Sequence, residues 1–509
     1  MLLFYILYKR SIIIKHTILK SFALVTVFSV ATRFLSFIYK IIISRYFGAE
    51  AVGIFQMSVS FLGFFIALTS SGLPLILSRN IAETRGKDKL REDRKVTFCL
   101  VFSILASLII TLALVICKPL LSVYFQNKKA VDVFYLLLPA LFSTTIYAVI
   151  RAWLLGNKQF LTFSSTELLE EVLTIAVTVL LALTLGSISG EKIISLAVSL
   201  ADFICIIVLF IIYFYKGGRL RKPRFEKELL KCSVPITASR LLASVLGAFS
   251  AFIIPYKLME YGLNTSVATA TFGRFTGMCM PLINAPSALI GSLAIVLLPE
   301  LSSLKATKEA NNQIEKSLLF AVFTAGAFVG LYLPLGKEIT TLVFNDAISG
   351  TYVSYSAIII FPLVINQLST SVLNAIGEEK TTLKNFVIGS VPLIISITFL
   401  TKYLGVLSLA LGFFLSFTTT ASLNLFALTK QRNVSLGAYK KMLLITASSL
   451  LLSYLIKIIA RSIAYSDLTK ILICSVIFLS LYLLVCYALG LSPKKLGIKL
   501  FSKRGNKNK

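Results

Sequence analysis

Apolar residues run along this chain in blocks about as long as a bilayer is thick, and the polar positions fall between the blocks. A membrane-spanning helix needs about 20 mainly apolar residues, because a rise of about 1.5 Å per residue must cross about 30 Å of hydrocarbon. Windows of that length predict fourteen spans, at 22–43, 54–77, 96–117, 133–155, 164–185, 193–215, 232–255, 275–298, 317–336, 352–375, 383–401, 404–428, 441–460 and 469–490. The fifth is the most polar, with Glu167, Glu170 and Glu171 inside it. The pattern predicts an all-α polytopic membrane protein of about 14 transmembrane helices.

Composition agrees. Hydrophobic residues make up 57% of the 509 residues, charged residues 14%, and the mean hydropathy is +0.87. Soluble domains have about 45–50% apolar and about 25% charged residues. The net charge of +29 does not point to nucleic acid, because the Lys and Arg sit in short loops between apolar runs. Those loops alternate in charge. With the N-terminus inside, 36 of the 51 Lys and Arg fall on the inner side and 12 in outer loops and helix ends. Cytoplasmic loops are the Lys/Arg-rich ones, so both termini are expected in the cytoplasm.

Residues 1–21 read as a cytoplasmic or interfacial arm. Their apolar run "LLFYILY" precedes the basic residues and no small-residue cleavage site follows. The charged loops "RNIAETRGKDKLREDRK" and "KGGRLRKPRFEKELLK" read as solvated orientation signals next to lipid headgroups. The seven cysteines form no C-x-x-C pair and behave as small apolar side chains.

Charges inside the windows are the candidate chemistry. A charge at the centre of a spanning helix costs about 2.5–3.5 kcal/mol on insertion scales, so it is seldom kept without a partner or a task. Arg33 lies eleven residues into the first window, on a face with Ser29, Ser36, Lys40 and Ser44. The seventh window repeats the arrangement: "ASRLL" (238–242) echoes "ATRFL" (31–35), with Ser233, Thr237, Arg240, Ser244 and Gly247 at steps of three and four. Six spans separate the two helices, which predicts halves of equal orientation related by an axis along the membrane normal. Transporters built this way bind substrate between the halves. Arg33 and Arg240 are therefore expected to face a water-filled central cavity. Asp202 is the one deep acid, a candidate for cation coupling or for pairing with an intramembrane Arg. Glu170 is expected to meet Arg151 or Lys158 across the short fourth loop.

Enzyme signatures are missing. His16 is the single histidine and lies in the N-terminal arm, so no His-based triad or His-ligated metal cluster is expected in the membrane body. Neither a Walker A motif nor G-x-G-x-x-G occurs. The expectation is a transporter that is not an enzyme and has no cofactor and no metal.

Five segments taken in order carry a family resemblance: "TRFLSFIYKIIISRYFGAEAVGIFQM" (32–57), "SSGLPLILSRNIAE" (70–83), "IRAWLLGNKQFLTFSSTELLEEVL" (150–173), "LLKCSVPITASRLL" (229–242) and "GMCMPLINAPSALIGSLAIVLLPELS" (277–302). They resemble the stage V sporulation protein B and polysaccharide exporter family. That family belongs to the exporter superfamily that includes MATE transporters and MurJ-type lipid II flippases.

The resemblance implies two six-helix bundles around a central V-shaped cavity plus two C-terminal helices. On this chain that divides into bundles at 22–215 and 232–428, a basic linker at 216–231, two added helices at 429–490 and a basic tail at 491–509. It implies a cargo of the undecaprenyl-diphosphate type, a lipid-linked anionic sugar or peptidoglycan precursor, moved by alternating access. It further implies service in cell-wall or spore-cortex synthesis. The host would be the cytoplasmic membrane or the forespore outer membrane, with membrane lipids and the cell-wall synthesis machinery as partners of a monomer. Basic residues of the first and second helices serve the cavity of MurJ-type flippases, and Arg33 and Arg79 match those positions. The eighth helix of those flippases has an Asp-Arg pair before Pro-Ser; here Pro281-Leu282 stands there, with Arg274 two turns earlier. Their sodium site draws acids from the seventh and eleventh helices, and neither window here contains one.

Three functions compete on this basis. A flippase for an anionic lipid needs Arg or Lys in its cavity. A MATE-like exporter of organic cations needs acids and aromatic rings there. A membrane glycosyltransferase needs a catalytic acid or metal site. The arginines of the first and seventh windows favour the flippase.

Overall fold

A chain in hydrocarbon must satisfy its backbone N–H and C=O groups within each segment, so apolar windows become helices. The computed structural model describes residues 2–70, 72–84, 88–125, 127–303, 308–432, 436–463 and 466–490, with side chains described chiefly from Val27 to Gly291 and from Asn311 onward. Every regular element among them is helical.

Contacts divide the chain into two compact units that meet in sequence at Gly273 and Arg274. The first holds α1 (Leu2–Ser70), α2 (Leu73–Thr84), α3 (Lys89–Ile116), α4 (Lys118–Phe125), α5 (Lys128–Gly156), α6 (Phe160–Thr184), α7 (Gly190–Tyr215), α8 (Lys227–Glu260) and α9 (Thr265–Gly273). The second opens on a π-helical turn at Arg274–Cys279 and continues as α10 (Met280–Ser303), α11 (Lys308–Phe344), α12 (Ala347–Ser356), α13 (Ile360–Ala375), α14 (Glu379–Ile395), α15 (Thr401–Leu404), α16 (Leu407–Arg432), α17 (Leu436–Ser462) and α18 (Asp467–Ala488).

Eleven helices among the described residues are long and apolar enough to cross a membrane. Three local features separate this number from the fourteen windows. The first two windows run together through α1 and α2. The fifth, in α6, is made too polar by its three glutamates. The eighth, in α10, runs past the described side chains. Backbone helix extends from Leu2 through the expected N-terminal arm, whereas the side chains of 1–24 and the whole tail 491–509 lie outside the described residues.

α1 is one element in name only. Gly48 breaks it with φ 79° and ψ 175°, a left-handed φ that costs a residue with a Cβ and costs glycine nothing. The break lets the first and second windows take different directions.

α5 is the hub of the first unit, packed by α1, α2, α3 and α7. Its crossing window is 61% buried against 22% for α18, so α5 is shielded by protein and α18 is left to lipid. Val149, Ile150 and Trp153 of α5 join a core with Leu77 and Ile81 of α2 and Tyr213 of α7. The Trp153 and Tyr213 rings meet edge to face, 4.8 Å between centroids. At Gly72, between α1 and α2, an added methyl would collide with the Ser233 carbonyl oxygen of α8. Glycine there lets α8 lie backbone to backbone on the α1–α2 corner, as small residues do where membrane helices cross.

α11 organises the second unit, packed by α12, α13, α17 and α18. The Phe478 and Tyr482 rings of α18 stack 5.4 Å apart, and Tyr482 stacks in turn on Phe323 of α11 at 5.3 Å. α18 is thus fastened to α11 by aromatic packing.

Candidate functional site

Five helices of the first unit enclose a cavity of about 630 Å³, within the range of small-molecule and cofactor sites. α5 lines it with Thr144, Ala148, Arg151 and Leu155. Steps of three and four keep these on one face while Val149, Ile150 and Trp153 turn to the core. α1 contributes Ser29, Thr32, Arg33 and Ser36 by the same periodicity. α2 adds Pro74, Leu75 and Ser78, α6 adds Phe163 and three glutamates, and α8 adds Arg240.

The Thr32 hydroxyl beside Arg33 is satisfied by its own helix. Thr32 Oγ1 donates to the Phe28 carbonyl at 2.9 Å, and Ser36 Oγ stands 3.1 Å from the Thr32 carbonyl. Arg33 itself is exposed to the cavity and makes no ion pair among the described residues.

Each cavity glutamate, by contrast, is engaged by a protein group. Glu167 Oε2 lies 3.2 Å from Nη2 of Arg151. Glu171 accepts a hydrogen bond from Ser36, with the Lys40 ammonium also acting on it. The Tyr147 hydroxyl donates to the Thr166 carbonyl at 3.3 Å and also meets the Glu170 carboxylate. The Arg151 guanidinium carbon stands 4.1 Å from the centre of the Phe163 ring and 5.0 Å from that of Tyr147, an arrangement in which the ring quadrupoles attract the cation.

Of the residues singled out from the sequence, Arg33, Arg240 and Glu170 all line this cavity. Arg79, Asp202 and Arg274 are not among its lining residues. Arg79 is exposed on α2 next to Ser78, and one residue of helix turns a side chain by about 100°. Asp202 is half-buried on α7, where Glu170 acts on it electrostatically. Arg274 belongs to the second unit, and its Nε donates to Asp346 Oδ2 at 2.8 Å. Asp346 is already the N-cap of α12, accepting from the Ser349 N–H at 2.7 Å, so Arg274 completes a helix cap. Among the described residues no group of three His, Cys, Asp or Glu side chains is placed to hold a metal ion.

Sequence reasoning treated Arg151 only as a loop-side charge and overlooked Tyr147 and Phe163. The ion pair observed is with Glu167, one turn closer than Glu170 to the short connection between α5 and α6. Tyr147 and Arg151 stand four apart on α5, the spacing of helix-face neighbours, and that was the available signal. The second ring, Phe163, comes from another helix and left no local trace.

Solved structures share this fold. Lipid II flippase MurJ in an inward closed conformation matches with a TM-score of 0.71 at 15% identity, over 91% of this chain and 98% of that one. An inward-facing multidrug resistance MATE family transporter of the MOP superfamily matches with a TM-score of 0.62 at 16% identity, over 80% and 96%. At those identities the likeness is one of fold. Stage V sporulation protein B of Bacillus subtilis (strain 168) is 23% identical over 399 residues, covering 74% of this chain and 76% of that protein. Sporulation protein YkvU of the same organism is 21% identical over 331 residues, 61% and 72% of the two chains. The profile of the family described as polysaccharide biosynthesis protein matches residues 18–305, more than half of the chain, and this multi-pass membrane protein therefore belongs to the polysaccharide biosynthesis protein family, on the fold of the MOP superfamily.

Proposed function

We propose that this protein is a flippase that carries an anionic lipid-linked sugar, of the polyprenyl-diphosphate type, out across the cytoplasmic membrane. The observation that supports it is Arg33: a guanidinium open to the cavity, with no acid paired to it among the described residues. A planar guanidinium grips two phosphate oxygens at once. Arg240 lines the same cavity and adds a second cation. Outward movement of negative charge also runs with a negative-inside potential, by about 2.3 kcal/mol per charge per 100 mV. The names of the MurJ and sporulation relatives fit a cargo from wall or spore-cortex synthesis.

The three glutamates and two aromatic rings beside the cavity favour a second reading, a MATE-like exporter of organic cations. That reading ranks lower because Arg151, Ser36, Lys40 and Tyr147 already engage those glutamates.

Reconstitution decides between them. Proteoliposomes with labelled polyprenyl-diphosphate sugar should show flipping that is lost in Arg33→Ala and partly kept in Arg33→Lys. Normal flipping by a well-expressed Arg33→Ala protein would refute the proposal, and uptake of organic cations instead would establish the alternative. Orientation has its own test: in a Cys-free background, single cysteines at 86–94 and 217–227 should react with an impermeant reagent only after permeabilisation. Labelling in intact spheroplasts would reverse the topology.

A further inference from the structure

We infer that Arg151 is a second anion subsite in the cavity, and that Glu167 fills it as a built-in stand-in ligand while no cargo is bound. The inference rests on the anionic cargo class proposed above.

Arg151 is held in place before any cargo arrives. Its guanidinium carbon lies 4.1 Å from the Phe163 ring centre and 5.0 Å from that of Tyr147. A cation fixed by two rings has little freedom left to lose when an anion binds. Its hydrogen bonding is nevertheless unfinished. Nη2 is 3.2 Å from Glu167 Oε2, yet both Nη2 and Nε are buried and neither makes a hydrogen bond of acceptable geometry among the described residues. The guanidinium fork faces a charge without being filled by it. Buried donors left in that state are costly, and a better-shaped acceptor would relieve them.

Exposure separates the partners. The Arg151 side chain is 16% exposed and that of Glu167 38%. Arg151 is the fixed inner member and Glu167 the outer one, which can swing aside. A pair serving only to hold helices together would have both members locked and the fork aligned. Here the carboxylate faces Nη2, and an anion reaches the guanidinium by displacing it. Glu170, which also acts electrostatically on Arg151, raises the requirement: an incoming anion must out-compete Glu167 against the repulsion of Glu170. A diphosphate, with more charge and more oxygens than a carboxylate, meets that requirement better than a monophosphate. Glu167 thereby acts as a selectivity filter on headgroup charge.

Binding of labelled farnesyl diphosphate to the full-length protein in detergent tests this, with farnesyl phosphate as the comparison. Arg151→Ala should weaken diphosphate binding by roughly tenfold or more, the loss of a hydrogen bond to a charged group. Arg151→Lys should fall between. Glu167→Gln should bind the diphosphate several-fold more tightly and should narrow its advantage over the monophosphate. Arg151→Ala combined with Glu167→Gln should bind no better than Arg151→Ala alone. Weaker binding by Glu167→Gln would make Glu167 a positioning residue for Arg151 and overturn the inference. So would unchanged binding by Arg151→Ala. If Arg151→Ala does not fold, the sign of the Glu167→Gln effect carries the test, because that variant keeps the arginine. Arg33→Ala separates the two levels of the argument: weak binding there with normal binding by Arg151→Ala removes only the subsite, whereas normal binding by Arg33→Ala removes the anionic-cargo reading itself.

Discussion

In the first unit, Arg33, Arg151 and Glu167 line a cavity of about 630 Å³. In the second, Asn424 of α16 is fully buried, and it donates to Thr370 Oγ1 of α13 at 2.9 Å and accepts from Asn385 Nδ2 of α14 at 2.9 Å. Both regions place polar side chains among membrane helices, with different chemistry. The cavity uses full charges and leaves the Arg151 guanidinium incompletely satisfied. The α13–α14–α16 network uses neutral amides and hydroxyls that close on one another. Neutral interhelical hydrogen bonds hold membrane helices together cheaply. Full charges need water, a ligand or an opposite charge beside them, and unsatisfied donors are what a ligand can use. Arg274 is the informative intermediate: an arginine of the second unit, satisfied by Asp346 and committed to a helix cap.

Four substitutions break or sharpen that contrast. The largest effect is expected from Arg33→Ala, which removes a charged donor that lines the cavity and makes no ion pair among the described residues. Losing a hydrogen bond to a charged group costs about 1.5–3 kcal/mol, or roughly 10- to 150-fold in rate. Flipping in proteoliposomes should fall that far while yield from membranes stays level, because removing a membrane-embedded charge does not hinder insertion.

Arg274→Ala should do the reverse. It strands a partly buried Asp346, and breaking such a pair costs about 2–3 kcal/mol where the side chains keep some exposure. The thermal midpoint in detergent should drop, and Asp346→Asn in the same chain, which keeps the cap acceptor and removes the stranded charge, should recover part of the loss. A thermal midpoint that does not move would show that the pair contributes nothing to stability.

Asn424→Leu should cost about 1–3 kcal/mol by leaving the buried Asn385 amide without its acceptor. Flipping per folded molecule should stay near normal. A transport defect at full stability would give this network a direct role and erase the contrast between the units.

The smallest effect is expected at Asp202, which neighbours Glu170 without lining the cavity. Asp202→Asn should slow flipping a few-fold or alter its pH dependence by removing the titratable group on which Glu170 acts. A pH profile identical to that of the unaltered protein would reduce Asp202 to a tolerated polar residue.

Much of the candidate site was legible as isolated charges. Arg33, Arg240 and Glu170 stood out because each interrupts an apolar window, and all three line one cavity. Arg79 was singled out by the family resemblance and Arg274 at the edge of the eighth window, and neither is part of the lining. A charge in an apolar run advertises a cost without saying what offsets it. For Arg274 the offset is Asp346, 72 residues away and on another helix. For Arg151 it is two rings and a glutamate drawn from α5 and α6.

The sequence by itself determined the class of the protein, the position of most helices and the charge asymmetry of the loops. These follow from local quantities: apolar length against bilayer thickness, and Lys/Arg count per loop. Only the tertiary structure decided which polar faces share a cavity, that Gly48 splits α1, and that Glu167 is the acid facing Arg151. Those outcomes depend on the angles at which helices cross and on close approaches such as Gly72 against the Ser233 carbonyl. Helix packing sets them through contacts between residues far apart in the chain, and no local pattern of apolar and polar positions encodes such contacts.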